Sequence, residues 1–441
     1  MSREIRCQDV VVGSGMQGFA AARACVAQGR DCIVLERGQG VGGVLRPVTL
    51  DEVSLDPGCH LWTSGGGPAG RREIEFLQDE LGVEMVPVMG HCYVSISPDG
   101  VARMKLEGPS FEYLPEHIRQ DAVQRAAAFD MASSDNEGLG TALPKAFGPD
   151  VSELLLSMAR KLYVRDPSDL SMHAAVQMAI SRVKLHTCEE LDQEVTDHGD
   201  LGSLLCSHPL HQKADDVVKF YYPAHGLAFL LDQVENWLRD RVRDLLFGST
   251  PRGIEAGGSG GVLVTQDCRI EYERLAWCCN PLELARLLGI EVPDKEATAG
   301  SASRSFFFRI RSGNPAVLYS HDFDTNSPMF RSWVPPAEMA PSDTGIRYAI
   351  VECPGVKETP VVIDDIRHRV AGIHGLDADG LEFLGSKAQV RFYPTGTYNR
   401  WLAATVAEIN RSCPGIVMPG VPIHGKGGIA AWWGEALGGT S

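Results

Sequence analysis

An α/β fold is what this sequence predicts: a Rossmann-like domain built around a dinucleotide turn, with a second domain of helices and antiparallel strands inserted into it. Three observations carry the prediction. The chain opens on an apolar strand that passes through three spaced glycines into an alanine-rich helix, from Asp9 to Ala27. A second apolar strand, Cys32 to Glu36, ends in an acid, and a separate group of strand-like segments fills residues 303–395.

The opening segment reads Gly13-Ser-Gly15-Met16-Gln-Gly18. Gly13 permits the tight turn out of the strand, Gly15 lets the backbone approach a pyrophosphate, and Gly18 lets helix and strand pack closely. The diphosphate then meets the helix N-terminus, where Met16 begins. Glu36 stands where a carboxylate accepts hydrogen bonds from ribose hydroxyls, with Arg37 next to it. The pair Gly42 and Gly43 follows so soon that it implies a second close backbone approach to the same ligand.

Composition narrows the partners. The chain has 441 residues, long enough for two domains, and 41 basic against 57 acidic residues give a net charge of −16. That balance disfavours nucleic acid and anionic membranes. The absence of a long apolar run, and a glycine motif close to Met1, lead to the expectation of a cytoplasmic protein without membrane insertion. Twelve cysteines include no Cys-x-x-Cys pair, so they read as reduced core residues, with no metal site.

The next segment, Leu55-Asp-Pro-Gly58-Cys59-His60, completes a pattern. Together with the glycine triplet, Glu36-Arg37 and Gly42-Gly43, it resembles the N-terminal third of the flavin amine oxidase superfamily, which includes protoporphyrinogen oxidases, phytoene desaturases and UDP-galactopyranose mutases. The resemblance implies FAD in a Rossmann-like domain of the glutathione-reductase type. It also implies that Gly58, Cys59 and His60 lie near the isoalloxazine ring, where His60 either serves as a hydrogen-bond partner or proton relay, or only braces the loop.

Further along, residues 65–70 are a break, Ile74, Leu77 and Leu81 have helical spacing, and residues 114–200 are mostly helix-like. Tyr222-Pro223-Ala-His-Gly226 leads into an amphipathic helix, resembling the return of the chain to the flavin domain. Residues 261–273 read as an alternating hairpin, and Leu275 to Leu288 runs from strand to helix through Asn280-Pro281. Strands are expected at 306–311, 316–319, 347–352 and 389–394, forming an antiparallel sheet.

The C-terminal strand, glycine loop and helix, residues 416–437, resemble the closure that aims a helix N-terminus at the flavin's pyrimidine edge, with Gly428 and Ile429 as cofactor contacts and Lys426 placed to hold charge on the ring. Where relatives carry a charged residue after the last strand, this chain has Pro419-Gly420-Val421. The expected FAD domain is therefore discontinuous, 1–68, 215–290 and 396–441, and residues 69–214 and 291–395 form the substrate domain.

No second Gly-x-Gly-x-x-Gly unit is present for NAD(P)H, so electrons are expected to pass from an organic substrate to flavin and on to oxygen or another acceptor. The leading function is oxidation or desaturation of a small organic substrate. Arg331 occupies a position where mutase-like relatives face the active site, and Arg391 and Tyr393 share a strand face, so all three are candidate substrate contacts. The alternatives are a mutase-like isomerase of a nucleotide sugar and a non-catalytic FAD-binding scaffold. A Ser-His or Cys-His nucleophile has no positional support. A homodimer is compatible with the sequence.

Overall fold

The computed structural model describes residues 3–50, 53–58, 60–63, 68–88, 93–104, 108–129, 137–172, 174–175, 183–187, 206–207, 220–257, 260–295, 301–336, 347–391, 395–420 and 426–438. The strand Arg3–Val12 (β1), the helix Met16–Ala27 (α1) and the strand Cys32–Glu36 (β2) follow in the expected order, and β1 pairs in parallel with β2. β1 is central in a seven-stranded sheet because Val10, Val11 and Val12 are apolar on both faces. Beyond β2 lies Asp244–Phe247. On the other side Cys268–Trp277 pairs in parallel with β1 and forms the expected hairpin with Gly261–Val264, with Gly253–Ala256 outermost and Ile416–Val417 joining its end. All seven strands come from the three segments expected for the dinucleotide domain.

The chain just beyond residue 68 packs back onto α1. The amphipathic helix Pro68–Asp79 buries Ile74 and Leu77 in the same core as Phe19 and Ala21 of α1, and Arg23 of α1 bonds to buried Glu73 at 2.6 Å. Met85–Val88 pairs with Phe220–Pro223, which pairs with Trp62–Thr63. Residues 68–88 thus pack with the dinucleotide half, whose helices cover their apolar stripe.

The second sheet runs in the order 381–391, 301–310, 347–354, 331–333, 319–322, 93–96, 102–104. It is mixed instead of wholly antiparallel, since Tyr319–Asp322 pairs in parallel with Tyr93–Ile96. The strand expected at 316–319 starts only at Tyr319. The amide of Ala316 donates to the His374 carbonyl at 2.8 Å and the Val317 carbonyl meets His374 Nδ1 at 2.6 Å, so this segment is tied to the helix Pro360–His374. Of the strand expected at 389–394, residues 389–391 end Leu381–Arg391 and residues 392–394 lie outside the described residues.

One face of this sheet, with Phe306, Phe308, Ala349 and Val351, packs on Ile366 and Val370 of that helix. The opposite face places Phe307, Tyr348, Ile350, Trp333 and Tyr319 in the core shared with α1. Helices Glu116–Ala128 and Leu139–Tyr163 form a separate apolar cluster, the second bent at Gly148 between Pro144 and Pro149; much of the remaining helix-like stretch to residue 200 lies outside the described residues. Among the described residues no helix is long and apolar enough to cross a membrane.

Candidate active site

Backbone geometry makes the first part of the site. Gly13 has φ of +98°, and a Cβ on Gly18 would stand 1.8 Å from the Gly13 carbonyl oxygen, so neither position accepts a side chain. Gly15 caps α1, and among the described residues no side chain accepts from the first-turn amides. A Cβ placed on Gly15 would meet only Gly43 Cα at 3.8 Å and Gly42 O at 4.0 Å. The paired glycines therefore return to the turn, and the Gly42 amide donates to Ser14 O at 3.0 Å. Bare backbone, unclaimed helix amides and two facing glycines are what a dinucleotide pyrophosphate requires.

Glu36, at the end of β2, accepts from the Ser14 amide at 3.0 Å, the Ser14 hydroxyl at 2.7 Å and the Gly38 amide at 2.7 Å, and remains partly exposed. Its carboxylate is thus held at the turn. Met16 is partly buried at the start of α1. Arg37 is exposed and its guanidinium lies 3.4 Å from Glu283 in the helix Pro281–Leu287. Sequence reasoning missed Cys279, whose Sγ would lie 2.6 Å from a Cβ on Gly13.

Side chains make the second part. Gly58 and partly buried His60 are described; Cys59 lies outside the described residues. A Cβ on Gly58 would meet Glu352 Oε1 at 2.7 Å and His60 Nε2 at 3.6 Å, so the loop, the histidine and a buried acid converge. Glu352 Oε2 is 2.8 Å from Arg331 Nε. Ser305 Oγ donates to the Pro57 carbonyl at 3.2 Å.

These residues belong to one row across the second sheet. His321 lies opposite Arg331, Arg331 opposite Glu352, Glu352 opposite Ser305, and Ser305 opposite Lys387. Side chains alternate, so the five share a face, beside an apolar row of Tyr319, Trp333, Ile350 and Phe307. No strand segment announces such a row; only pairing assembles it.

Arg391 lies opposite Ser301, four residues along the strand from the Ser305 row and three strands from Arg331. Strand geometry sets that offset at about 13 Å along the strands and about 14 Å across them. Positions 331 and 391 are therefore well separated on the sheet, and Arg331 is already matched to Glu352. Tyr393 lies outside the described residues.

Asp56, two residues before Gly58, is fully buried. Its carboxylate accepts from the Tyr222 hydroxyl and from the Leu227 amide at 3.1 Å, while its own amide donates to the Tyr348 hydroxyl at 3.4 Å. Burial pushes its carboxyl up to about 6, against the opposing pull of Tyr222, Leu227 and Tyr348. The sequence carried one signal for it: an acid inside an otherwise apolar and glycine-containing loop motif.

A Ser-His contact does exist, Ser332 Oγ to His374 Nε2 at 2.7 Å, with Ser320 behind it at 2.6 Å. It lies on the helix-covered side of the sheet. Burial lowers the imidazole to about 4, so the ring is neutral, sealed and structural.

The helix Lys426–Ala436 packs against α1 and Pro68–Asp79, burying Trp433 and Leu437. Lys426 is its first residue, with a side chain outside the described set, and Gly428 and Ile429 are partly exposed in its first turn.

Residues 11–74 match the family model of an NAD(P)-binding Rossmann-like domain. No curated protein matches the chain in sequence. Among solved structures, putrescine oxidase bound to putrescine superposes with a TM-score of 0.66 at 15% identity, covering 99% of each chain. A protein assigned as a protoporphyrinogen oxidase, from Exiguobacterium sp. 255-15, gives 0.62 at 15% identity over 99% of this chain and 98% of that one. Reduced UDP-galactopyranose mutase gives 0.68 at 14% identity over 98% and 94%. The chain shares the fold of these three proteins. In this fold the Gly15–Gly43 contact and the Glu352 row lie in separate parts joined through the loop that carries Asp56, Gly58 and His60.

Proposed function

We propose that this protein is an FAD-dependent oxidoreductase that oxidises or desaturates a small organic substrate. The observation that carries the proposal is the open backbone at Gly15, met by Gly43 under the unclaimed amides of α1, with Glu36 held at the turn. When bound, FAD supplies a two-electron acceptor for hydride. The chain's own residues do the rest. Gly13, Gly15, Met16 and Gly18 hold the pyrophosphate, Glu36 the ribose, and Gly42 and Gly43 close over the turn. Gly58, Cys59 and His60 line the ring, with His60 holding a proton at its edge. Gly428 and Ile429 approach the pyrimidine end, where Lys426 and the helix N-terminus favour negative charge. The polar row around Arg331 and Glu352 forms the substrate wall, and Arg391 and Tyr393 are further candidate contacts.

A second reading, isomerisation of a nucleotide sugar, draws on the likeness to UDP-galactopyranose mutase. Its expected diphosphate clamp is weakened by the pairing of Arg331 with Glu352 and by the offset of Arg391.

The deciding experiment starts with denaturation of the purified protein, which is expected to release FAD. Anaerobic mixing of the yellow holoprotein with a panel of amines and other small organic substrates is expected to bleach the visible band. Product from a nucleotide sugar only after dithionite reduction would establish the isomerase instead. Bound flavin with neither response would leave a binding scaffold.

A further inference from the structure

Asp56 has a position that stability alone does not explain. It is 1% exposed and among the described residues no cation pairs with it. The groups that face it are the phenols of Tyr222 and Tyr348 and the amide of Leu227. An apolar residue of similar size would fill this place without the desolvation cost of a carboxylate. The linkage has the same sign. The folded carboxyl, at about 6, binds its proton more tightly than an unfolded aspartate at about 4. Its contribution to stability is present below the unfolded value and is lost as pH rises through 6, so the ionised acid is a net cost at neutral pH.

What the acid supplies is a joint. Tyr222 comes from the strand Phe220–Pro223, Leu227 from the first turn of the helix Gly226–Arg241, and Tyr348 from the substrate-sheet strand Arg347–Pro354. Tyr222 in turn lies 5.5 Å, ring to ring, from Trp333 of the apolar row. The residues after Asp56 are held from the same sheet: the Pro57 carbonyl by Ser305, and Gly58 against Glu352. Three elements distant in sequence thus converge on the residue that sets where Gly58 and His60 begin.

We propose that Asp56 is the positioning residue of this loop, coupling the substrate sheet to the placement of Gly58 and His60 beside the flavin. The inference rests on the FAD reading. Protonation of Asp56 replaces an acceptor by a hydroxyl that faces other donors, and the loop relaxes with it.

The test uses the holoprotein. The visible spectrum of the oxidised flavin and the FAD dissociation constant are measured from pH 5 to 8, with a wild-type transition expected near pH 6. Asp56→Asn is expected to abolish that transition and to weaken FAD about tenfold, as for a lost charge-assisted hydrogen bond. Tyr222→Phe keeps the acid but removes a donor to its charged form, so the transition is expected at higher pH. If Asp56→Asn does not fold, Tyr222→Phe decides. Variants that lower the melting temperature yet leave spectrum, affinity and pH transition unchanged would overturn the positioning role. A protein that releases no flavin would overturn the cofactor reading first, and this inference with it.

Discussion

Around Gly15 the candidate site is made of backbone, and around Gly58 it is made of side chains. In the first region a missing Cβ at Gly13, Gly15, Gly18 and Gly43 opens space, the amides of α1 point into it, and the one essential side chain, Glu36, is fixed by neighbours within the same short segment. In the second region Asp56, Ser305, Arg331, Tyr348 and Glu352 come from three strands and a loop. The difference teaches where each is vulnerable. The backbone site fails when atoms are added, and the side-chain site fails when a partner is taken away.

The largest test of that comparison is Gly18→Val. Its Cβ would overlap the Gly13 carbonyl, so α1 and β1 must separate, at a cost of about 3 kcal/mol or more from overpacking. Urea unfolding and flavin content measure both effects, and a stable variant retaining full FAD would break the claim that the turn admits no side chain.

An intermediate effect is expected for Glu352→Ala. It leaves the Arg331 guanidinium, only 21% exposed, without its carboxylate. The loss should be about 2 kcal/mol, below the range for a fully buried pair because Arg331 reaches some solvent. A double-mutant cycle with Arg331→Ala sharpens it, since strictly additive losses would mean that the two do not act as a pair.

The smallest belongs to Arg37→Ala. Arg37 and Glu283 are 72% and 44% exposed, so the change in stability should stay under about 0.5 kcal/mol. Chemical unfolding checks it, and a marked drop in FAD affinity measured alongside would show that Arg37 turns from Glu283 to the cofactor.

The same contrast governs how far the sequence could be read. β1, the glycine turn, α1 and β2 follow each other within 34 residues, each with its own periodicity and punctuation, and they fold as read. The hairpin at 261–277 and the Asn280 cap of the following helix obey local rules as well. The second sheet escapes in part because its pattern has interruptions. Residues 316 and 317 look like strand but bond to His374, and the short strands 93–96 and 102–104 come from a distant part of the chain. The break before residue 68 is a related case. A glycine-rich break looks like a domain edge, while the apolar stripe of Pro68–Asp79 finds its cover on α1.

The sequence alone determined the dinucleotide turn, the acid at the end of β2 and the discontinuous return of the chain to its first sheet. These depend on φ, on the absence of Cβ atoms and on the period of apolar residues, all written within a few neighbouring positions. Only the tertiary structure decided that Arg331 is committed to Glu352, that position 391 lies elsewhere on the sheet, and that Asp56 is sealed between two tyrosines from different strands. Register between strands and the closing of a buried hydrogen-bond network depend on which segments meet, and that choice belongs to the packing of the whole core.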